Sequence, residues 1–87
     1  MNRRYYRDAR LIEEKLWQAG RPDWALQIDD AIEGGSSASE ILRRLRKTLI
    51  QIQNQHLDLP AQLDDEIEDL MRALDRAQRE QVDDSSP

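Results

Sequence analysis

Three short stretches of this chain hold the residue types that do chemistry. His56 is the only histidine and follows the polar run Gln51-Ile52-Gln53-Asn54-Gln55 near a helix end. A histidine base needs a serine or cysteine to act on, and a metal-binding histidine in a helical bundle keeps a carboxylate at Glu-x-x-His spacing. Neither accompanies His56, which therefore reads as a surface residue or a partner of the negative end of its helix dipole. Asp64-Asp65-Glu66 and Glu68-Asp69 could offer oxygens to a hard cation, but the central glycine and fixed loop positions of a calcium-binding loop are missing. Carboxylates in the first turns of a helix complement its positive end without any ion. Gly34-Gly35-Ser36-Ser37 leads into a helix N-terminus, a general anion site, yet no strand precedes it and no phosphate-loop lysine follows. It reads as a flexible link capped by serine. With no cysteine in the chain, disulfides, thiolate metal sites and a Cys nucleophile are excluded. No nucleophile–base pair, metal set or phosphate loop can be assembled, so the sequence predicts no enzyme, no metal and no cofactor.

Binding chemistry is better represented. Tyr6, Arg10, Glu13 and Trp17 recur at spacings of four, three and four, on a line about 80–100° from the centre of the neighbouring apolar stripe at ~100° per residue. Arg43, Lys47, Ile50 and Asn54 share a second helical face opposite its core stripe, with Arg46 at the edge. Leu26 points away from its own stripe, beside Asp30 and Glu33. Either a neighbouring helix covers the Tyr6–Trp17 line, or that line is a partner surface, since interface centres favour aromatics and arginine. The candidate partner-binding residues are Tyr6, Arg10, Glu13 and Trp17, flanked by Asp29, Asp30 and Glu33 to steer a basic partner.

Four helices must position these residues. The first is predicted from Arg3 to Ala19, with Tyr5, Ala9, Ile12, Leu16 and Ala19 as its stripe. Gly20 supplies a left-handed stop, and Pro22 starts the second helix where its missing N–H costs nothing. That helix runs to Glu33 with Trp24, Ile28, Ala31 and Ile32 inward and Ala25 at the edge, and Gly34-Gly35 stops it. Ser37-Ala38-Ser39-Glu40 fits a capping box for the third helix. Its stripe is Ala38, Ile41, Leu42, Leu45, Leu49 and Ile52, and it ends between Gln53 and Leu57. The fourth helix runs from Pro60 to Gln81 on Leu63, Ile67, Leu70, Met71 and Leu74, with Glu68–Arg72 and Asp75–Arg79 as i,i+4 pairs. Short links make antiparallel neighbours. The expected fold is an all-α, compact four-helix bundle of two antiparallel hairpins, one domain over residues 1–81, with a disordered acidic tail at 82–87.

Composition agrees with a small helical domain. Nineteen Ile, Leu and Val residues, two Trp, two Met and two Tyr must supply the core of an 87-residue chain. That is near the lower limit for independent folding, so a partner or a second copy is readily part of the native state. Charge alternates in blocks. Residues 1–21 carry six bases and three acids, residues 22–40 five acids, residues 41–57 four bases, and residues 58–87 ten acids and three bases, which sum to −5. The acidic total opposes charge-driven binding to nucleic acid, although the basic first and third helices keep that reading open in third place. No apolar run approaches the ~20 residues of a membrane span. The basic start, Met1 to Arg7, lacks the apolar stretch of a secretory leader, so a cytoplasmic location is expected.

The run Trp24-Ala25-Leu26, then Ala31-Ile32-Glu33-Gly34-Gly35-Ser36, then Glu40-Ile41-Leu42 and Leu45-Arg46 resembles small uncharacterised bacterial helical proteins that carry a Trp-Ala…Gly-Ser-x-x-Glu-Ile…Leu-Arg pattern. The resemblance covers about a quarter of the chain, and it implies a bacterial origin and no activity. In size and acidity the chain is also similar to the nuclease-colicin immunity proteins, four-helix inhibitors, though their binding-helix motif is missing here. The expected role is non-enzymatic binding of another protein as a small acidic inhibitor or immunity-type protein. The alternatives are a helical homodimer or assembly subunit, and a nucleic-acid-binding regulator.

Overall fold

The computed structural model describes residues 5–84, with side chains described for residues 5–79. Four helices follow in order: α1 Tyr5–Gln18, α2 Pro22–Glu33, α3 Ala38–Asn54 and α4 Ala61–Asp84. Among the described residues there is no strand. The short links turn consecutive helices antiparallel, and α4 closes back onto α1. Each helix thus packs on two neighbours around a square, α1 on α2 and α4, α3 on α2 and α4. The apolar stripes meet at the centre. Ile12, Leu16, Ile28, Leu45, Leu49, Ile52, Leu63, Ile67, Leu70 and Leu74 are the largest fully buried side chains.

The charge blocks become walls on three of the helices: α2 and α4 are acidic and α3 is basic, whereas α1 carries three bases and three acids and is neutral. Three of the four seams carry ion pairs. Arg10 of α1 reaches Asp29 and Glu33 of α2 at 2.7 and 2.6 Å. Lys15 of α1 pairs with Glu66 of α4. Arg46 of α3 meets Asp75 of α4 at 3.2 Å. These side chains are one-third to two-thirds exposed, so each pair contributes only about 0–1 kcal/mol. Their larger effect is on which helices sit side by side. The predicted Glu68–Arg72 and Asp75–Arg79 pairs also form, at 3.5 and 3.1 Å.

The helix ends show how the links are made. Gly20 adopts φ +78°. The Arg21 N–H donates to Leu16 O at 2.8 Å and the Gly20 N–H to Trp17 O at 3.1 Å, the two bonds of a Schellman ending. Ser37 caps α3 in extended conformation, its Oγ accepting from the Glu40 N–H at 3.2 Å. The Glu40 carboxylate accepts instead from the Ser36 hydroxyl at 3.1 Å. Ser37→Ala is expected to destabilise the protein by about 0.5–2 kcal/mol in urea unfolding. An unchanged midpoint would mean that solvent satisfies that N–H equally well.

Several expectations are corrected. The Gly34-Gly35 link is not a loose tether. A Cβ on Gly35 would lie 2.3 Å from Ile41 Cγ1 and 3.2 Å from the Ile41 backbone, so the chain turns against the first turn of α3 where only glycine fits. Gly35→Ala is expected to cost about 1–3 kcal/mol, the range for overpacking. Unfolding at the wild-type midpoint would show that the link yields freely. Ala38, expected in the α3 stripe, is exposed, because it opens the helix before the stripe reaches the core. Thr48 and Ala73 are buried although no stripe included them. Helix α4 continues past Gln81 to Asp84, whereas the tail was expected to lose structure at Val82. Helix extension needs no apolar stripe, since each added residue contributes one backbone bond and no Gly or Pro intervenes. The rest of the predicted tail, 85–87, lies outside the described residues, as do residues 3–4 of the first helix prediction.

Candidate functional site

Helix α1 shows one face to α2 and the core, and its Tyr6–Trp17 line sits at the edge of the α1–α2 seam. Tyr6 is 42% exposed and Trp17 50% exposed, so among the described residues no neighbouring helix covers them fully. Between them lies Arg10. Its Nη1 donates to Glu13 Oε1 at 2.8 Å and to Asp29 Oδ1 at 2.7 Å, and its Nη2 to Glu33 Oε2 at 2.6 Å. Asp29 first, then Glu13, push the guanidinium further toward its charged form. One cation meets three carboxylates, so the cluster is net negative.

The pairing of Arg10 with Asp29 and Glu33 also sets the register of the antiparallel α1–α2 hairpin. It brings Leu26, 55% exposed, to the Trp17 end of the same outer face. Three large apolar side chains, Tyr6, Trp17 and Leu26, therefore border one carboxylate-rich cluster. The sequence placed Tyr6, Arg10, Glu13 and Trp17 on one line, and they share it. Asp29 and Glu33 join them across the seam. Asp30 does not. It lies on the other side of α2, in a groove facing Arg44 and Lys47 of α3. Residues 29 and 33 are four apart and share a face, whereas residue 30 is turned ~100° from 29. Leu11, 44% exposed on the far side of α1, was not singled out. Its angle from the stripe, ~130° by the same arithmetic, is the signal that marks it.

The remaining candidates take ordinary places. His56 follows the end of α3 with a left-handed φ of 51°, and its N–H donates to Gln53 O at 3.1 Å. It occupies the ending position at which other helices place glycine. With Asp64, Asp65 and Glu68 it lines an open groove of about 370 Å³ between α3 and α4. Among the described residues, no three His, Cys, Asp or Glu side chains gather closely enough to hold a metal ion. On α3, Arg46 is tied to Asp75 and Arg44 approaches Glu40 at 3.5 Å. Among the described residues, no helix is long and apolar enough to cross a membrane. Compared with known protein families, curated proteins and solved structures, the chain matches none of them.

Proposed function

We propose that this protein is a non-enzymatic protein-binding module, a small acidic inhibitor or immunity-type protein that engages a basic partner through the outer α1–α2 face. The observation that carries the reading is the exposure of Tyr6, Trp17 and Leu26 on one face around the Arg10–Glu13–Asp29–Glu33 cluster. Aromatic side chains grouped in this way supply most of the affinity in protein interfaces, and surrounding charge supplies encounter rate and selectivity. The net negative cluster favours a basic surface over a second copy of the same face, which would set like charges together. Affinity capture from the source cell, followed by titration of the captured protein at several salt concentrations, tests the reading. A specific partner bound less tightly by a Trp17 variant, with association slowed by salt, is the expected result. Concentration-dependent dimerisation through this face in sedimentation would replace the reading by a homodimer.

A further inference from the structure

The α2–α3 seam is the one side of the square where opposite charges face each other without closing. Among the described residues no ion pair crosses it, whereas the other three seams each have at least one. In its place is an open groove of about 350 Å³, walled by Gln27 and Asp30 of α2 and by Arg44, Lys47 and Gln51 of α3. Asp30 and Lys47 are both exposed, and their side chains make no ion pair or hydrogen bond among the described residues. The Arg44 guanidinium lies over Gly34 at the end of α2, with only a 3.5 Å approach to Glu40.

Thr48 adds a second, separate observation. It lines the groove and is only 7% exposed, yet its hydroxyl has no hydrogen-bond partner among the described residues. That oxygen is not sealed away, since Arg46 Nε is the buried side-chain atom left without a partner. A nearly buried hydroxyl on a residue that lines a groove, unclaimed by the protein, is available to bond something within the groove.

We propose that the α2–α3 groove binds a small zwitterion, a molecule carrying one carboxylate and one ammonium group. Lys47 and Arg44, with the Thr48 hydroxyl, hold the carboxylate, and Asp30 holds the ammonium. Gln27 and Gln51 offer carboxamides to either end. A simple anion fits less well, because Asp30 repels it, and a simple cation meets Lys47 and Arg44. A zwitterion satisfies both walls and replaces the missing ion pair of this seam. The volume lies at the lower end of the ~300–1,000 Å³ typical of ligand clefts, the scale of a metabolite rather than a macromolecule.

The test is titration of the full chain, followed by backbone amide NMR, with glycine, γ-aminobutyrate and ε-aminohexanoate, which separate the same two charges by increasing lengths. Acetate and methylammonium serve as single-charge controls. At least one ω-amino acid is expected to bind about tenfold or more tightly than either control, because it gains both charge contacts at once. Its shifts should centre on Gln27, Ala31, Thr48 and Gln51. Asp30→Asn and Lys47→Gln, both at exposed positions, should each weaken it by about tenfold with the melting temperature unchanged. Thr48→Val should weaken it severalfold while Ala31 and Gln51 keep their unliganded shifts. The proposal is overturned if no ω-amino acid saturates more tightly than acetate, or if Lys47→Gln leaves the binding unchanged. The groove takes Asp30, which is turned ~100° from Asp29, and none of the residues that bond Arg10, so this outcome is distinguishable from that of the α1–α2 surface.

Discussion

Leu45→Ala is expected to destabilise the protein by about 2–5 kcal/mol, and Ile67→Ala by a similar amount, the usual range for large-to-small changes in a core. Leu45 is 0% exposed and Ile67 1% exposed, each midway along the inward stripe of its helix. Both face the centre of the square, where four helix walls limit how far neighbours can move in to fill the void. A domain of this size has only about 5–15 kcal/mol to lose, so either change removes a large share of it. Urea unfolding followed by circular dichroism measures the loss, with Leu26→Ala as a control. Leu26 is 55% exposed, and its truncation should stay within about 0.5 kcal/mol. A loss below ~1 kcal/mol at Leu45 or Ile67 would contradict the assignment of the core face.

Trp17→Ala is expected to weaken partner binding by ~2 kcal/mol or more, roughly thirtyfold, while leaving helix content and melting temperature near wild type. The second half of that statement rests on exposure: half of Trp17 already meets solvent, so its removal opens no cavity in the centre. The first half rests on its neighbours, since Leu26 extends the apolar area and the three carboxylates around Arg10 border it. Charge reversal at Glu33, 67% exposed at its side chain, should mainly slow association, and that slowing should fade as salt rises. Calorimetry gives the affinity and stopped-flow the rate. If Trp17→Ala binds like wild type, the α1–α2 face is not the contact surface, and the Arg43–Lys47–Ile50 face of α3 is the next to mutate.

How much of this was legible in the sequence differs by element. Helix bounds came from local chemistry and held closely at α2 and α3, because Gly20, Pro22, Gly34 and Ser37 act within a turn of themselves. The core stripes followed from periodicity, and failures fell at their edges. Ala38 was lost to a helix end, and Thr48 was missed because a polar residue does not count toward an apolar stripe. The C-terminal bound of α4 was misplaced since no stop signal lies before Asp84. The candidate surface was half legible. The line on α1 needed only the helix period, but which acids meet Arg10 depends on the register between two helices. Asp29 and Glu33 are four apart and share a face that the helix period sets ~100° from Asp30, and packing then turns that face to α1 and Asp30 to the other seam. That glycine at 35 is held in a tight contact with Ile41, rather than loosely, is likewise invisible until α3 is placed.

The acidic walls of α2 and α4 have a consequence for how the chain finds its topology. During collapse the four amphipathic helices could pack in other cyclic orders with much the same apolar burial. Any order that sets α2 beside α4 puts two acidic walls in contact and raises the energy of that competitor. In the order seen here α2 and α4 lie across the square, and the extensive packing is between other pairs. Charge makes no distinction, however, between this arrangement and its opposite-handed counterpart, in which every neighbour is the same. The choice of hand therefore falls to the short connections, where the left-handed Gly20 and the close passage of Gly35 against Ile41 fix the direction of each turn. Lengthening those connections with flexible residues would be felt as a loss of handedness, with two bundles of nearly equal energy, before it was felt as a loss of helix.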